Sequence, residues 1–318
     1  MKKIILDVDT GIDDSLAIAY AVHSPELDIL GVTTCFGNVS VEEATRNTLV
    51  VLEKLDSTAL VIPGAGKPLF RGPTKGSTVE VHGEDGLGGV LESEPTRQAE
   101  RGHAARFMRE QARKHPKQVR IVTVGPLTNL AMAIMQDPEF AGLVDNVIVM
   151  GGAVTVPGNV TPHAEANIFA DPEAAEYVFR SGIPITLVGL DVTMQTLLPL
   201  TEVRAWRNSG TQLADFLAGM TEFYIGAYQQ MYPGIEGCAL HDPLAVGVAI
   251  DPSFVSAVPM HVQVDVEGIL SYARTVGDLR SKPAAEPNVK VCIGVDAERF
   301  RKHFLSRVLG VGAQMRTV

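Results

Sequence analysis

The sequence predicts an α/β fold: a single domain over residues 1–318 with a central, mainly parallel (mixed) sheet flanked by helices. Two observations predict it. Short apolar runs recur along the chain, each followed by a Gly, Asn or Asp turn and then by a helical pattern. The runs are continuous in Val, Ile and Leu rather than strictly alternating, which marks strands buried on both faces.

In order, the expected strands are "KIIL", "LDILGVTT", "VRIVTV", "NVIVM", "PITLVGL", "MHVQVDV" and "VKVCIGV". Between them lie the helical stretches "DDSLAIAYAV", "VEEATRNTLVVLEKL", "PLTNLAMAIM" and "DPEAAEYVFRSG". The last opens on Asp-Pro and stops at Gly182, a good start and a good end for a helix. Repeated strand and helix places helices on both sides of a parallel sheet. One segment breaks the rhythm. Residues 63–95 hold eight Gly and four Pro with little periodicity, and a loop that long inside a compact domain is usually a lid, a binding loop or a linker. Within it "VHGEDGLGG" carries a His and two acids among glycines, so a flexible functional loop is expected at about 63–95.

Composition excludes several classes. The net charge is -10 with no basic run, which disfavours nucleic-acid binding, since that affinity comes from Lys and Arg on phosphates. No apolar stretch approaches the roughly 18–20 residues needed to span a bilayer, so no membrane association is expected. Cys35, Cys238 and Cys292 are odd in number and far apart, and read as reduced core thiols of a cytoplasmic protein. Neither GxxxxGK nor GxGxxG after a strand is present, so no phosphate cradle is expected.

Chemistry concentrates at the start. Asp7, Asp9, Asp13 and Asp14 fall within eight positions behind the first apolar run. Ligands of open α/β sheets sit beyond the carboxyl ends of the strands, where Asp9 falls, with Gly11 allowing a tight turn. Asp13 and Asp14 open the following helix, where the dipole favours negative charge. Capping explains one or two aspartates. Convergence of Asp9, Asp13 and Asp14 on one turn instead suits a hard cation, Ca²⁺ or Mg²⁺. An EF-hand starting at Asp7 fails, with Ile12 and Ile18 where Gly and Glu are needed, and zinc lacks HExxH or a Cys pair. Distant residues must complete such a site. "LHDPLAV" at 240–246 offers Asp242, although an Asp-Pro pair is also an ordinary helix start.

"DVDTGIDD" resembles the N-terminal DxDxGxDD signature of the inosine-uridine preferring nucleoside hydrolases. "TTCFGN", "VHGEDGLGG", "VGPLTNLA", "VMGGA", "GNVTPHAEANIFADPEAA" and "LHDPLAV" follow in that family's order, giving a resemblance from residue 4 to about 246 and a weaker one through "NVKVCIGVD". It implies a nucleoside hydrolase-like fold with a Rossmann-like core. It also implies calcium-dependent hydrolysis of the N-glycosidic bond of ribonucleosides to free base and ribose, a step in nucleoside catabolism and salvage. One Ca²⁺ per chain would be held by Asp9, Asp14, Asp242 and the backbone carbonyl of Val124, where many relatives carry Thr. Asp13 is similar to the family's general base and His241 to its leaving-group acid. Asn38, Asn159, Glu165 and Asn167 match sugar-binding positions, Met150 a residue under the ribose, and His82 a loop residue near the base. A homodimer or homotetramer is implied as well.

Such a reaction runs through an oxocarbenium-like transition state, with a base for water and an acid for the leaving group. An ordinary imidazole, with a pKa near 6.5, suits the acid's role near neutral pH. Tyr224, Tyr228 and Tyr232 lie at helical spacing ahead of His241, as a packing stripe or a surface for the base, and Tyr228 is taken as the substrate contact. The second active-site segment is therefore placed at about 222–241. Two rival readings remain. "LDVDTG" mimics the nucleophile turn of haloacid dehalogenase-type Mg²⁺ phosphatases, which also need a Lys for the phosphate. A non-enzymatic calcium or nucleoside binder would need neither Asp13 nor His241.

Overall fold

Alternate residues of the first strand face opposite ways. Ile4, Leu6 and Val8 enter one apolar cluster and Ile5 enters another, so one strand feeds a core on each side of the sheet. The structure, a computed structural model, describes residues 1–72 and 78–310.

Six parallel strands build most of the sheet: β1 (Lys2–Val8), β2 (Leu27–Thr34), β3 (Val61–Pro63), β4 (Val119–Thr123), β5 (Asn146–Met150) and β6 (Ile185–Val188). Val289–Val295 adds beside β6 in parallel, and Val255–Met260 closes the edge antiparallel to it, giving the spatial order 3-2-1-4-5-6 followed by these two. The order reverses between β1 and β4, where Asp7 lies level with Thr33 on one side and Thr123 on the other. That reversal opens a crevice at the carboxyl ends of the strands.

One expectation needs correction, and one edge strand was not foreseen. "MHVQVDV" does not supply a strand of the central sheet: Val262–Val264 pairs with Thr275–Gly277 in a separate two-stranded ribbon. Val262 and Val264 are buried and Gln263 is exposed, the alternation of a ribbon covered on one face only. The sheet edge falls instead to Val255–Met260, which the apolar-run criterion passes over because Ser256, Ala257 and Pro259 face solvent. Pro259 is tolerated because an edge strand needs only half its ladder.

Helix boundaries follow local chemistry. Ser40 and Glu43 form a reciprocal capping box at the start of helix Val41–Lys54. Asp171 caps helix Pro172–Arg180, and the chain turns away through Gly182 at φ +78°. The loop expected at about 63–95 starts where β3 ends and contains one short helix, Val79–His82, while its residues 73–77 lie outside the described residues. Cys35, Cys238 and Cys292 are buried and unpaired. Among the described residues no helix is long and apolar enough to cross a membrane.

Candidate active site

The turn after β1 is held by its own acids. Asp14 Oδ1 accepts from the Asp9 amide at 3.1 Å and Asp14 Oδ2 from the Gly11 amide at 2.9 Å, closing the first turn of helix Ile12–Val22. Asn38, arriving after β2, donates its amide to Asp9 Oδ2 at 2.6 Å and its side chain to Asp14 Oδ2 at 3.2 Å. Two glycines allow this crowding. A Cβ at Gly37 would lie 2.0 Å from Asp9 Oδ2, and one at Gly125 would lie 2.8 Å from Asp9 Oδ1.

Asp242 joins from 228 positions beyond Asp14 in the chain. One oxygen each of Asp13, Asp14 and Asp242 lies within 4.8 Å of the others, and all three residues are buried. Asp242 sits in the first turn of helix His241–Ile250, whose N-cap is Leu240, so it is not the capping aspartate of an ordinary Asp-Pro helix start. Asp13 Oδ2 accepts from the Tyr224 hydroxyl at 3.2 Å, while Asp13 Oδ1 is buried without a hydrogen-bond partner among the described residues.

The electrostatics are severe. Burial raises the pKa of Asp13, Asp14 and Asp242, and neighbouring carboxylates raise Asp13 and Asp242 further. Among the described residues lining the adjoining cleft there is no Lys or Arg to offset them. Buried oxygens in this arrangement, one of them unpartnered, fit a hard divalent cation. Val124 also lines the cleft, and its carbonyl accepts from Asn167 Nδ2 at 2.7 Å.

The cleft, about 300 Å³, is bordered by Asp13, Asn38, His82, Val124, Met150, Asn159, Glu165, Asn167, Tyr228, His241 and Asp242. Eleven of the thirteen expected site residues therefore meet there; Asp9 and Asp14 lie buried beside it. Glu165 caps helix Ala166–Ala170, taking the amides of Asn167 and Ile168, and its Oε2 also accepts from Gly152 at 2.9 Å. Asn167 spans Val124 O and Met150 O with one amide nitrogen. Asn159 is exposed at the cleft's edge and accepts from the Ala166 amide at 3.0 Å.

An aromatic wall also lines the cleft. His82 accepts the Ile12 amide on Nδ1 at 3.1 Å and stacks on Tyr224 with 5.5 Å between ring centroids. The tyrosines of helix Gln212–Met231 do more than pack: Tyr224 bonds Asp13, and the Tyr228 hydroxyl lies 2.6 Å from His241 Nε2. Tyr224 and Tyr228 are 3.5 Å apart at their hydroxyls, so a chain of hydrogen bonds links Asp13 to His241. His241 differs from the ordinary imidazole expected. Burial brings its pKa down to about 4, which leaves the ring neutral at neutral pH. Thr193, whose Oγ1 lies 2.7 Å from His241 Nδ1, escaped the sequence reading entirely. Nothing in "LVGLDVT" marked a threonine whose partner lies 48 residues away.

The model of the inosine-uridine preferring nucleoside hydrolases matches residues 4–302. The chain belongs to that family. It is 38% identical over 315 residues to "Probable uridine nucleosidase 2" of Arabidopsis thaliana, covering 97% of this chain and 98% of the relative. It is 36% identical to the "Pyrimidine-specific ribonucleoside hydrolase RihA" of Escherichia coli O1:K1 / APEC, covering 93% and 95% of the two chains. Among solved structures, the "Purine-Preferring Ribonucleoside Hydrolase from Gardnerella vaginalis" superposes with a TM-score of 0.91 at 42% identity, covering 96% and 98%. Like these members of the nucleoside hydrolase family, the protein is an N-glycosidase-type hydrolase with an α/β fold. Neither fold nor relatives favour a haloacid dehalogenase-type phosphatase or a non-enzymatic binder.

Proposed function

We propose that the protein is a calcium-dependent hydrolase of the N-glycosidic bond of neutral ribonucleosides, inosine and uridine among them, releasing free base and ribose. The observation that carries this reading is the convergence of buried Asp13, Asp14 and Asp242 at a cleft lined with side-chain amides and aromatic rings. The relatives named above carry uridine, pyrimidine and purine in their names at 36–42% identity, which supports the ribonucleoside class as a whole.

Asp9, Asp14, Asp242 and the Val124 carbonyl would hold the cation. When bound, it supplies Lewis-acid chemistry and lowers the pKa of an attached water. Asp13, whose Oδ2 is already engaged by Tyr224, takes the water's proton on its other oxygen, Oδ1, which is buried and has no partner among the described residues. Asn38, Asn159, Glu165 and Asn167 bind ribose hydroxyls above Met150, and Glu165 adds negative charge facing the developing oxocarbenium. His82 and Tyr228 flank the base. The neutral His241 ring first gains a proton along the Tyr224–Tyr228 hydroxyl chain from Asp13, which has taken one from water, and hands it through the Tyr228 hydroxyl on its Nε2 to the departing base. Negative charge growing on that base raises the proton affinity of the buried ring at the moment it is needed.

The three buried unpaired thiols support a reducing, cytoplasmic setting. The reading takes residues 1–318 as one catalytic domain, in the homodimer or homotetramer implied by the family resemblance; sedimentation of the purified protein tests the assembly. Free-base release from inosine, uridine, cytidine, adenosine and guanosine, before and after chelation and calcium resupply, tests the activity. Release that survives full chelation overturns the calcium requirement, and phosphate-ester turnover without base release overturns the reaction.

A further inference from the structure

We infer that Thr193 is a positioning residue that sets the orientation of the His241 ring. Both ring nitrogens of His241 meet hydroxyls: Nε2 meets Tyr228 at 2.6 Å and Nδ1 meets Thr193 Oγ1 at 2.7 Å. A ring bonded at both ends cannot flip or swing without breaking a bond. Because hydroxyls donate or accept, the same orientation survives in either tautomer. Thr193, Tyr228 and His241 are all buried, so water does not replace a lost partner cheaply.

The platform under Thr193 is rigid. It ends the single turn Leu190–Thr193, which leaves the carboxyl end of β6. Leu190 donates its amide to Gly152 O at 2.9 Å, and the Asp191 carboxylate takes the amides of Val154 and Thr155 and the Thr155 hydroxyl. The same 151–155 loop presents the Gly152 amide to Glu165. Thr193 therefore references the His241 ring to the loop that fixes a residue of the sugar side. A side chain that must protonate a leaving base needs that reference, because misplacing a reacting group by about 1 Å can cost on the order of 10²-fold.

This rests on the reading of His241 as the leaving-group acid, so the test includes His241→Ala. Thr193→Val keeps the shape and removes the hydroxyl, Thr193→Ala removes it without added bulk, and Thr193→Ser restores it. Each variant is assayed on uridine or inosine and on p-nitrophenyl riboside, whose leaving group departs without a proton. Thr193→Val or Thr193→Ala is expected to lower kcat on the nucleoside by about 3- to 10-fold more than on p-nitrophenyl riboside. Thr193→Ser should return that ratio to the parent's. A purely structural role lowers both substrates together, with melting temperature, and overturns the inference. Selectivity in His241→Ala without selectivity in the Thr193 variants overturns the inference alone. Equal losses on both substrates in His241→Ala overturn the acid assignment and the inference with it.

Discussion

The Tyr224 hydroxyl donates to Asp13 Oδ2 across 3.2 Å, joining two helices whose residues lie 211 positions apart. The bond places the aromatic wall and the carboxylate cluster in one network. It also leaves Asp13 one oxygen occupied and one available.

Tyr224→Phe tests that bond. The ring and its stacking on His82 are retained and only the hydroxyl is lost. Losing a hydrogen bond of this kind costs about 0.5–1.5 kcal/mol, so kcat should fall by about 2- to 13-fold. Calcium content should not change. A silent substitution would return Tyr224 to the packing stripe that its spacing also allows.

Asp13→Asn is expected to keep the fold, the metal and nucleoside binding while losing most turnover. Removing a positioned general base typically costs about 10²- to 10⁴-fold. The measurement is kcat beside calcium content and nucleoside affinity on one preparation. Near-parent activity would show that another group takes the proton from water.

Much of this was legible in the chain, for a physical reason. Asp9, Asp13 and Asp14 share one turn, and a continuous apolar strand before them reports burial on both faces, so local sequence carried the first half of the site. Asp242 looks locally like an ordinary helix start, and only the family resemblance assigns it to the metal, because nothing local distinguishes a capping aspartate from one inside the first turn. The pKa of His241 was not legible at all. Burial sets it, and that burial comes from elements brought together by the fold, with Tyr228 and Thr193 closing on the ring. The edge strand Val255–Met260 was lost because half its residues face water, and β3 because three residues are too few to show a pattern.

Metal removal should destabilise the protein, increasingly as pH rises. Asp13 is held up at about 7 against 3.8 in the unfolded chain. Without a cation, a carboxyl raised in this way favours the fold below pH 4, and that contribution is lost as pH climbs through about 7. Calcium competes with protons for the neighbouring oxygens, so its stabilisation should grow over the same window. At 100 times Kd it should amount to about 2.7 kcal/mol. Melting curves at pH 5 and pH 8, chelated and then resupplied with calcium, measure it. About one calcium per chain should be found by metal analysis, and Asp242→Asn should reduce the shift. No calcium-dependent shift at pH 8 would remove the metal from the reading.

Ribose hydroxyls should matter more than the identity of the base. Glu165 and Asn167 are preorganised before any substrate arrives: Glu165 takes three backbone amides, and Asn167 bridges Val124 O and Met150 O. Both are buried, so their remaining polar capacity has little access to water. A 2′-deoxyribonucleoside leaves part of that capacity unmet, and each lost contact in a buried site costs about 1–3 kcal/mol. The loss in kcat/KM should therefore be on the order of 10²-fold for two contacts. Changing the base leaves these contacts intact, and the aromatic wall accepts different rings through stacking, so the spread among ribonucleosides should be narrower. Asn167→Ala should lower ribonucleoside turnover more than deoxyribonucleoside turnover, shrinking the ratio between them. Equal efficiency on inosine and 2′-deoxyinosine in the parent enzyme would contradict the assignment. A ratio untouched by Asn167→Ala would move sugar recognition to Asn38 and Asn159.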